Sequence, residues 1–389
     1  MNKIKICFFL AGIILISAPL MVQADQISPN PNDGTITVST SDAYNLIFFD
    51  NNGLLEITSS GLLKNAARLN NNTGGSLNNS GTLENCSEGR LENYSGGTLD
   101  NWGTVSNEGY IRTQGTLNNY GTLNNNARAE PSIAGGVLWN YGTLNNYGAL
   151  NNYSRSETIN YGTFNNNAGG TLNNNAGAWL LNISGGTLNN LGTVLNDGIL
   201  DGRGTYIQSA GQTKNNGSMT QASIQINGGS LSGNGIINGD VTIGSGAYVF
   251  PGNSPGTMTI NGNFTSSGNL IFEIAGLGTG LYDVLDINGS AIFTGSNIEF
   301  DFINGFSASA GNYWDFLFAT NISGWETLSF TFEGLGSGLS WDIDPIVGGE
   351  RLLITQGGGP PVPEPATMIL LGSGLIGLAG YGRKKCFKN

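Results

Sequence analysis

Gly115-Thr116-Leu117-Asn118-Asn119-Tyr120-Gly121-Thr122-Leu123-Asn124-Asn125 holds one short unit twice, G-T-L-N-N, and the unit returns at Gly142. A longer version carries a second glycine, as in Gly169-Gly170-Thr171-Leu172-Asn173-Asn174. Its apolar position can be followed outward. From Leu63 through Leu69, Leu77, Leu83, Leu91, Leu99, Val105, Ile111 and Leu117 to Leu123, every gap is 6 or 8 residues. The count resumes at Leu138 and again at Phe164, and reaches Leu200. Both gaps are even. Strand side chains alternate faces with period 2, so a two-residue insertion keeps the Leu on the inner face and an odd one would expel it. A helix would show spacings of 3 and 4, and this Gly and Asn density disfavours it. The unit therefore predicts a very short strand, T-L-N, followed by an N-x-G corner, where Asn and Gly tolerate positive φ.

One such unit cannot bury its Leu alone, but stacked coils can. With about three units per turn, a coil holds roughly 18–22 residues and pairs with the next as parallel strands about 4.8 Å apart. The expected core is a Leu/Val/Ile column, with Asn amide ladders in the corners. Ala127 to Ala134, with Arg128, Glu130 and Pro131, breaks the pattern and reads as a loop thrown out of the coil. The competing reading is an Asn-rich disordered tract, which has no need of a Leu at even spacing.

Composition narrows the function. The 389 residues include 62 Gly, no His, 3 Cys, and 15 basic against 27 acidic side chains. Without His, the commonest general base and metal ligand are missing, and with them Ser-His-Asp and Cys-His nucleophiles. The acidic balance argues against a nucleic-acid partner. No catalytic residue, metal ligand or cofactor-binding loop is assigned.

The two ends read as addresses. Lys3 and Lys5 precede a largely apolar stretch, and Val22-Gln23-Ala24 is a small-residue cleavage site before Asp25, so residues 1–24 are expected to be a signal peptide. An uncleaved anchor is the other reading. At the far end, Val362-Pro363-Glu364-Pro365 follows a Gly/Pro break at 357–361. An uncharged run, Ala366 to Tyr381, comes next, then Arg383-Lys384-Lys385. As a helix the run rises only about 24 Å, feasible as a thin span with its basic tail in the cytoplasm. This end closely resembles the PEP-CTERM sorting signal of Gram-negative bacteria, on Pro363, Glu364, Pro365, Arg383, Lys384 and Lys385. The resemblance implies recognition by an exosortase, transient anchoring in the inner membrane, loss of the tail, and export in an exopolysaccharide producer. A permanent anchor is the alternative. Removal of residues 1–24 and of everything after Pro365 leaves nine basic against 27 acidic residues, net −18, and Cys86 as the lone cysteine.

From about residue 217 the strands lengthen: Ala222 to Ile226, Gly239 to Ile243, Met258 to Ile260, Leu270 to Ile274. Residues 228–320 resemble the β-helix repeat of autotransporter passenger domains and bacterial adhesins, which implies a right-handed parallel β-helix and surface display. Aromatics gather at 301–356, read as a β cap; an aromatic ligand cleft is the other reading. The expected whole is an all-β parallel solenoid: signal peptide 1–24, N-terminal cap 25–60, repeat solenoid 61–216, longer strands 217–300, cap 301–356, linker 357–361 and sorting signal 362–389.

Its acids are scattered. Glu84, Glu88 and Glu92 share outward parity, and Asp283/Asp286 and Asp342/Asp344 are either turn acids or hard-oxygen Ca²⁺ ligands. With Leu inward, position +3 points outward. Tyr94, Trp102, Tyr120, Tyr141, Tyr147, Tyr153 and Tyr161 fall there or close by. They form either aromatic ribs that contact sugars, with Tyr120, Tyr141, Tyr147 and Tyr161 as the candidate residues, or shields for the coil edge. The expected function is that of a non-enzymatic, adhesin-like surface or matrix protein associated with exopolysaccharide or other surface glycans. A polysaccharide-cleaving β-helix enzyme and an ice-binding solenoid are the alternatives.

Overall fold

The computed structural model describes residues 25–40, 43–127 and 135–357. The expected signal peptide, all of the expected loop 127–134 but its first residue, and the sorting signal with its apolar run lie outside these residues. Among the described residues no helix is long and apolar enough to cross a membrane.

Each T-L-N-N unit forms a strand of four residues, one longer than expected. In Thr116–Asn119 the burial alternates, with Leu117 and Asn119 inside and Thr116 and Asn118 outside. Tyr120-Gly121 then turns the chain into Thr122–Asn125. Within the repeats each strand pairs in parallel with the third strand before and after it, so three strands make one coil. Thr116–Asn119, for instance, lies between Thr98–Asn101 and Thr143–Asn146, Leu beside Leu and Asn beside Asn. Most steps from one coil to the next span 18 to 24 residues; the step from Asn119 to Asn146 spans 27. The solenoid has three faces. Face A contains Thr116–Asn119 and Thr143–Asn146, face B contains Thr122–Asn125 and Ala149–Asn152, and face C contains Val137–Asn140 and Glu157–Asn160. The same parallel register begins in the first coil, where Thr35–Val38 pairs with Leu54–Ile57.

The core is only half apolar. The Leu column is fully buried, each side chain stabilising by roughly 1.5–3 kcal/mol. Beside it runs a second column, the last residue of each strand, and this is where the amide ladders lie. They are not in the corners, because the last Asn sits two residues after the Leu and so shares its inward parity. On face A, Asn101 Nδ2 donates to Asn119 Oδ1 at 2.7 Å, and Asn119 Nδ2 to Asn146 Oδ1 at 2.7 Å. The second amide hydrogen donates to a backbone carbonyl on face B of the next coil, Asn101 to Thr122 O at 3.0 Å and Asn119 to Ala149 O at 2.9 Å. A buried amide without partners costs several kcal/mol. Here the ladder satisfies it and ties each corner to the coil above.

The repeat glycines have a different cause from the one expected. Gly121 is not at positive φ. A Cβ there would stand 2.1 Å from Gly103 O, so stacked corners leave no room for a side chain. Positive φ occurs at the extra glycine of the longer units, such as Gly74 (φ 82°) and Gly169 (φ 83°). No corner Asn of the T-L-N-N units adopts it; Asn304, beyond the repeats, does.

The ladders end near the change in composition, at Gln208, Asn215 and Gln221. There Tyr206 occupies the Leu position, fully buried, its hydroxyl hydrogen bonded to Thr213. Beyond it, strands such as Ser223–Gly233 and Val241–Pro251 run unbroken around a corner, over a mainly apolar core. The last parallel strand, Ser329–Glu333, pairs with Asn297–Phe302. The antiparallel hairpin Leu339–Ile346 and Gly349–Gln356 then closes on Tyr313–Ser323, with Trp341 packed on Phe330 and Phe332. The aromatics of 301–356 thus pack mainly on one another.

Candidate functional site

Between consecutive faces the corner residues form columns, because each sits above its equivalent one coil below. At the corner from A to B the column reads Ser80, Trp102, Tyr120, Tyr147, Asn167. Trp102 and Tyr120 stack with ring centroids 3.9 Å apart and planes 9° from parallel, and Tyr120 and Tyr147 at 4.9 Å and 8°. At the corner from C to A the column reads Tyr94, Gln114, Tyr141, Tyr161. Tyr141 and Tyr161 stack at 4.6 Å and 2°, and the Arg112 guanidinium lies 4.9 Å from the Tyr141 ring centre. Tyr153 is the single exposed aromatic of its own corner, from B to C.

The four sequence-predicted tyrosines therefore fall into two stacks, on opposite borders of face A, and Trp102 joins one of them. The outward parity read from sequence holds: Trp102, Tyr141, Tyr147 and Tyr161 are 40–60% exposed. Ring faces within a stack cover each other, however. What a stack offers sideways is ring edges and phenol hydroxyls; a free ring face occurs only at its ends. Burial, with Asp100 and Tyr147 nearby, raises the Tyr120 phenol above its ordinary value, so it stays a hydrogen-bond donor at neutral pH.

Face A itself is a lattice. Its outward residues are Ser76 and Asn78, Thr98 and Asp100, Thr116 and Asn118, Thr143 and Asn145, Thr163 and Asn165, Thr187 and Asn189. The amides are linked coil to coil. Asn118 Nδ2 donates to Asp100 Oδ1, Asn145 to Asn118, Asn165 to Asn145 and Asn189 to Asn165, each at 2.8 Å. Face C differs. It carries Arg90, Glu92 and Arg112, with Arg112 to Glu92 at 3.8 Å, then the apolar Trp139, Ile159 and Leu181.

The acids do not converge. Glu84 lies on face B, Glu92 on face C and Glu88 in the corner between them. Asp283 is buried and accepts the backbone N–H groups of Gly256 at 2.8 Å and Glu273 at 2.9 Å. It ties two chain segments together as a turn acid does. Asp286 lies on the neighbouring strand, and Asp342 and Asp344 on the cap hairpin. Among the described residues no three His, Cys, Asp or Glu side chains are grouped as a metal site.

The Pro363-Glu364-Pro365 end decides how the chain is handled. A family model described as the PEP-CTERM protein-sorting motif matches residues 361–384. The chain carries a PEP-CTERM sorting motif. That motif implies an exosortase as processing partner, and export through a transient membrane stage in a Gram-negative bacterium. No curated protein matches the chain. A PEP-CTERM motif on a β-solenoid body is thus the combination to be explained.

Proposed function

We propose that this PEP-CTERM solenoid is a non-catalytic, adhesin-like protein of the cell surface or extracellular matrix that binds exopolysaccharide through many weak, repeated contacts. The supporting observation is the pair of aromatic columns that repeat at coil spacing along a face of Thr and Asn with one acid, Asp100. Amphipathic rings with polar tips suit sugars, and repetition along a rod turns weak contacts into avidity. The acidic chain, net −12, disfavours nucleic acid, and divalent cations would bridge it to an anionic polymer. The test is a pull-down of purified residues 25–361 with the producer's own polysaccharide, with and without Ca²⁺. Retention supports the reading. Release of reducing sugars would favour a polysaccharide-cleaving enzyme instead.

Ice binding is favoured by one specific observation, the ranks of outward Thr and Asn on faces A and B. Thermal hysteresis in dilute solution tests it.

A further inference from the structure

We infer that face A, from Thr98 to Asn165, is the binding platform, and that it takes an extended, uncharged, hydroxyl-rich polysaccharide. This rests on the matrix reading above and adds which face binds and what class of polymer. Two walls and a floor carry it. Trp102, Tyr120 and Tyr147 border one side, and Tyr141 and Tyr161 the other. The floor between them is one strand of four residues, roughly 13 Å across.

The floor repeats one hydrogen-bonding pattern in every coil. An amide has two N–H donors and two acceptor lone pairs. The coil-to-coil ladder uses one Nδ2 hydrogen and one Oδ1 lone pair of Asn118 and of Asn145. One donor and one acceptor per coil are left, beside a Thr hydroxyl. The ladder also fixes these side chains before any ligand arrives, so the ordering cost of about 0.5–1.5 kcal/mol per side chain is already met. Charge selects the polymer. Asp100 is the one ionisable group on this stretch of floor and no cation accompanies it. No cation stands on the floor to pair with a uronate or sulfate, and Arg112 against the Tyr141 wall already faces Glu92, whereas arrayed amides and hydroxyls suit sugar hydroxyls. Face B carries the same Asn rank and, apart from Ala149, the same Thr rank over Thr122–Asn125, Ala149–Asn152 and Thr171–Asn174. It shares one aromatic wall and has only Tyr153 on its other border, so it serves as the internal control.

The experiment is affinity electrophoresis of the mature protein in native gels containing hydroxyethylcellulose, alginate or the producer's polysaccharide. Asn118→Leu/Asn145→Leu/Asn165→Leu strips the floor of face A; Asn124→Leu/Asn151→Leu/Asn173→Leu does the same to face B. The expected result is retardation by the neutral glucan and not by alginate, weakened at least tenfold in Kd by the face A triple and less than twofold by the face B triple. Should the face A triple melt early, Tyr120→Ser/Tyr141→Ser/Tyr147→Ser/Tyr161→Ser, which leaves the floor intact, takes its place with the same expectation. Equal losses from the two faces, or preference for alginate, would overturn the platform while leaving polysaccharide binding in place. Thermal hysteresis abolished by the face A triple would reassign the platform to ice. A wild-type protein retarded by none of the three gels would remove the matrix reading itself.

Discussion

Asn119 shows why a polar residue fills half of this core. Its amide accepts from Asn101 and donates to Asn146 and to Ala149 O, all at 2.7–2.9 Å. Asn119→Ala would orphan these partners, and buried orphans cost about 1–3 kcal/mol each, so a loss of roughly 3 kcal/mol or more is expected by thermal unfolding. Asn119→Asp should be worse at neutral pH, where it buries a charge, and partly rescued at acid pH, where a carboxylic acid can accept from Asn101 and supply one of the two donated bonds. The apolar column makes a parallel case: Leu117→Asp should be severe and the outward Tyr120→Ser mild, and equal sensitivity would refute the inward parity of Leu117. Asp283 is the acid to watch. Burial raises its carboxyl from 3.8 to about 7, against two backbone N–H bonds that favour the charged form. A raised acid pKa means that the protonated form suits the fold. Its contribution is therefore full below pH ~4 and is lost as pH rises through about 7. The carboxyl carbon should titrate near 7 by NMR, and Asp283→Asn should flatten the fall in Tm between pH 4 and 7.

Among the elements, the ladder on face C is broken where the repeat departs from its rule. Thr113 stands in place of Asn. It accepts from Asn93 at 3.0 Å, but Asn140 Oδ1 above it lacks a partner. Thr113→Asn should close the gap and raise stability by about 1 kcal/mol, read as an upward shift in Tm; no shift would mean that the break already has a partner. The corner is less forgiving. Gly121→Ala puts a Cβ on Gly103 O at 2.1 Å, and destabilisation is expected although the residue is exposed enough to look neutral. At the cap, Arg351 forks onto Asp315 at 2.5 and 3.1 Å and lies over Tyr313. Arg351→Met should open the hairpin Gly349–Gln356 to proteolysis before the coils. Strands were legible because an even Leu spacing admits no other period. The buried Asn was missed because Asn is mostly a surface residue, yet the same parity rule, applied two residues past each Leu, places it inside.

At the scale of the whole molecule, each coil contacts only its neighbours, so stability is close to a sum over coils. That sum is what the repeated Leu and Asn encode. The surface was legible only in part. Outward parity marked Tyr120, Tyr141, Tyr147 and Tyr161, but which of them meet depends on the number of strands per turn. Three per turn puts Tyr147 on Tyr120 and Tyr161 on Tyr141, with face A between the pairs. The aromatics of 301–356 marked a cap, but no repeat revealed its antiparallel pairing. The central claim is therefore the three-strand register, and a spin-label distance tests it most directly. Asn78 and Asn189 are both outward on face A and five coil steps apart, through Asp100, Asn118, Asn145 and Asn165. With labels at Asn78→Cys and Asn189→Cys in a Cys86→Ser background, the register predicts a narrow distribution near 24 Å, from about 4.8 Å per step. A broad distribution on the order of 60 Å, that of a flexible chain of this separation, would contradict it, as would a narrow peak at a clearly different number of steps.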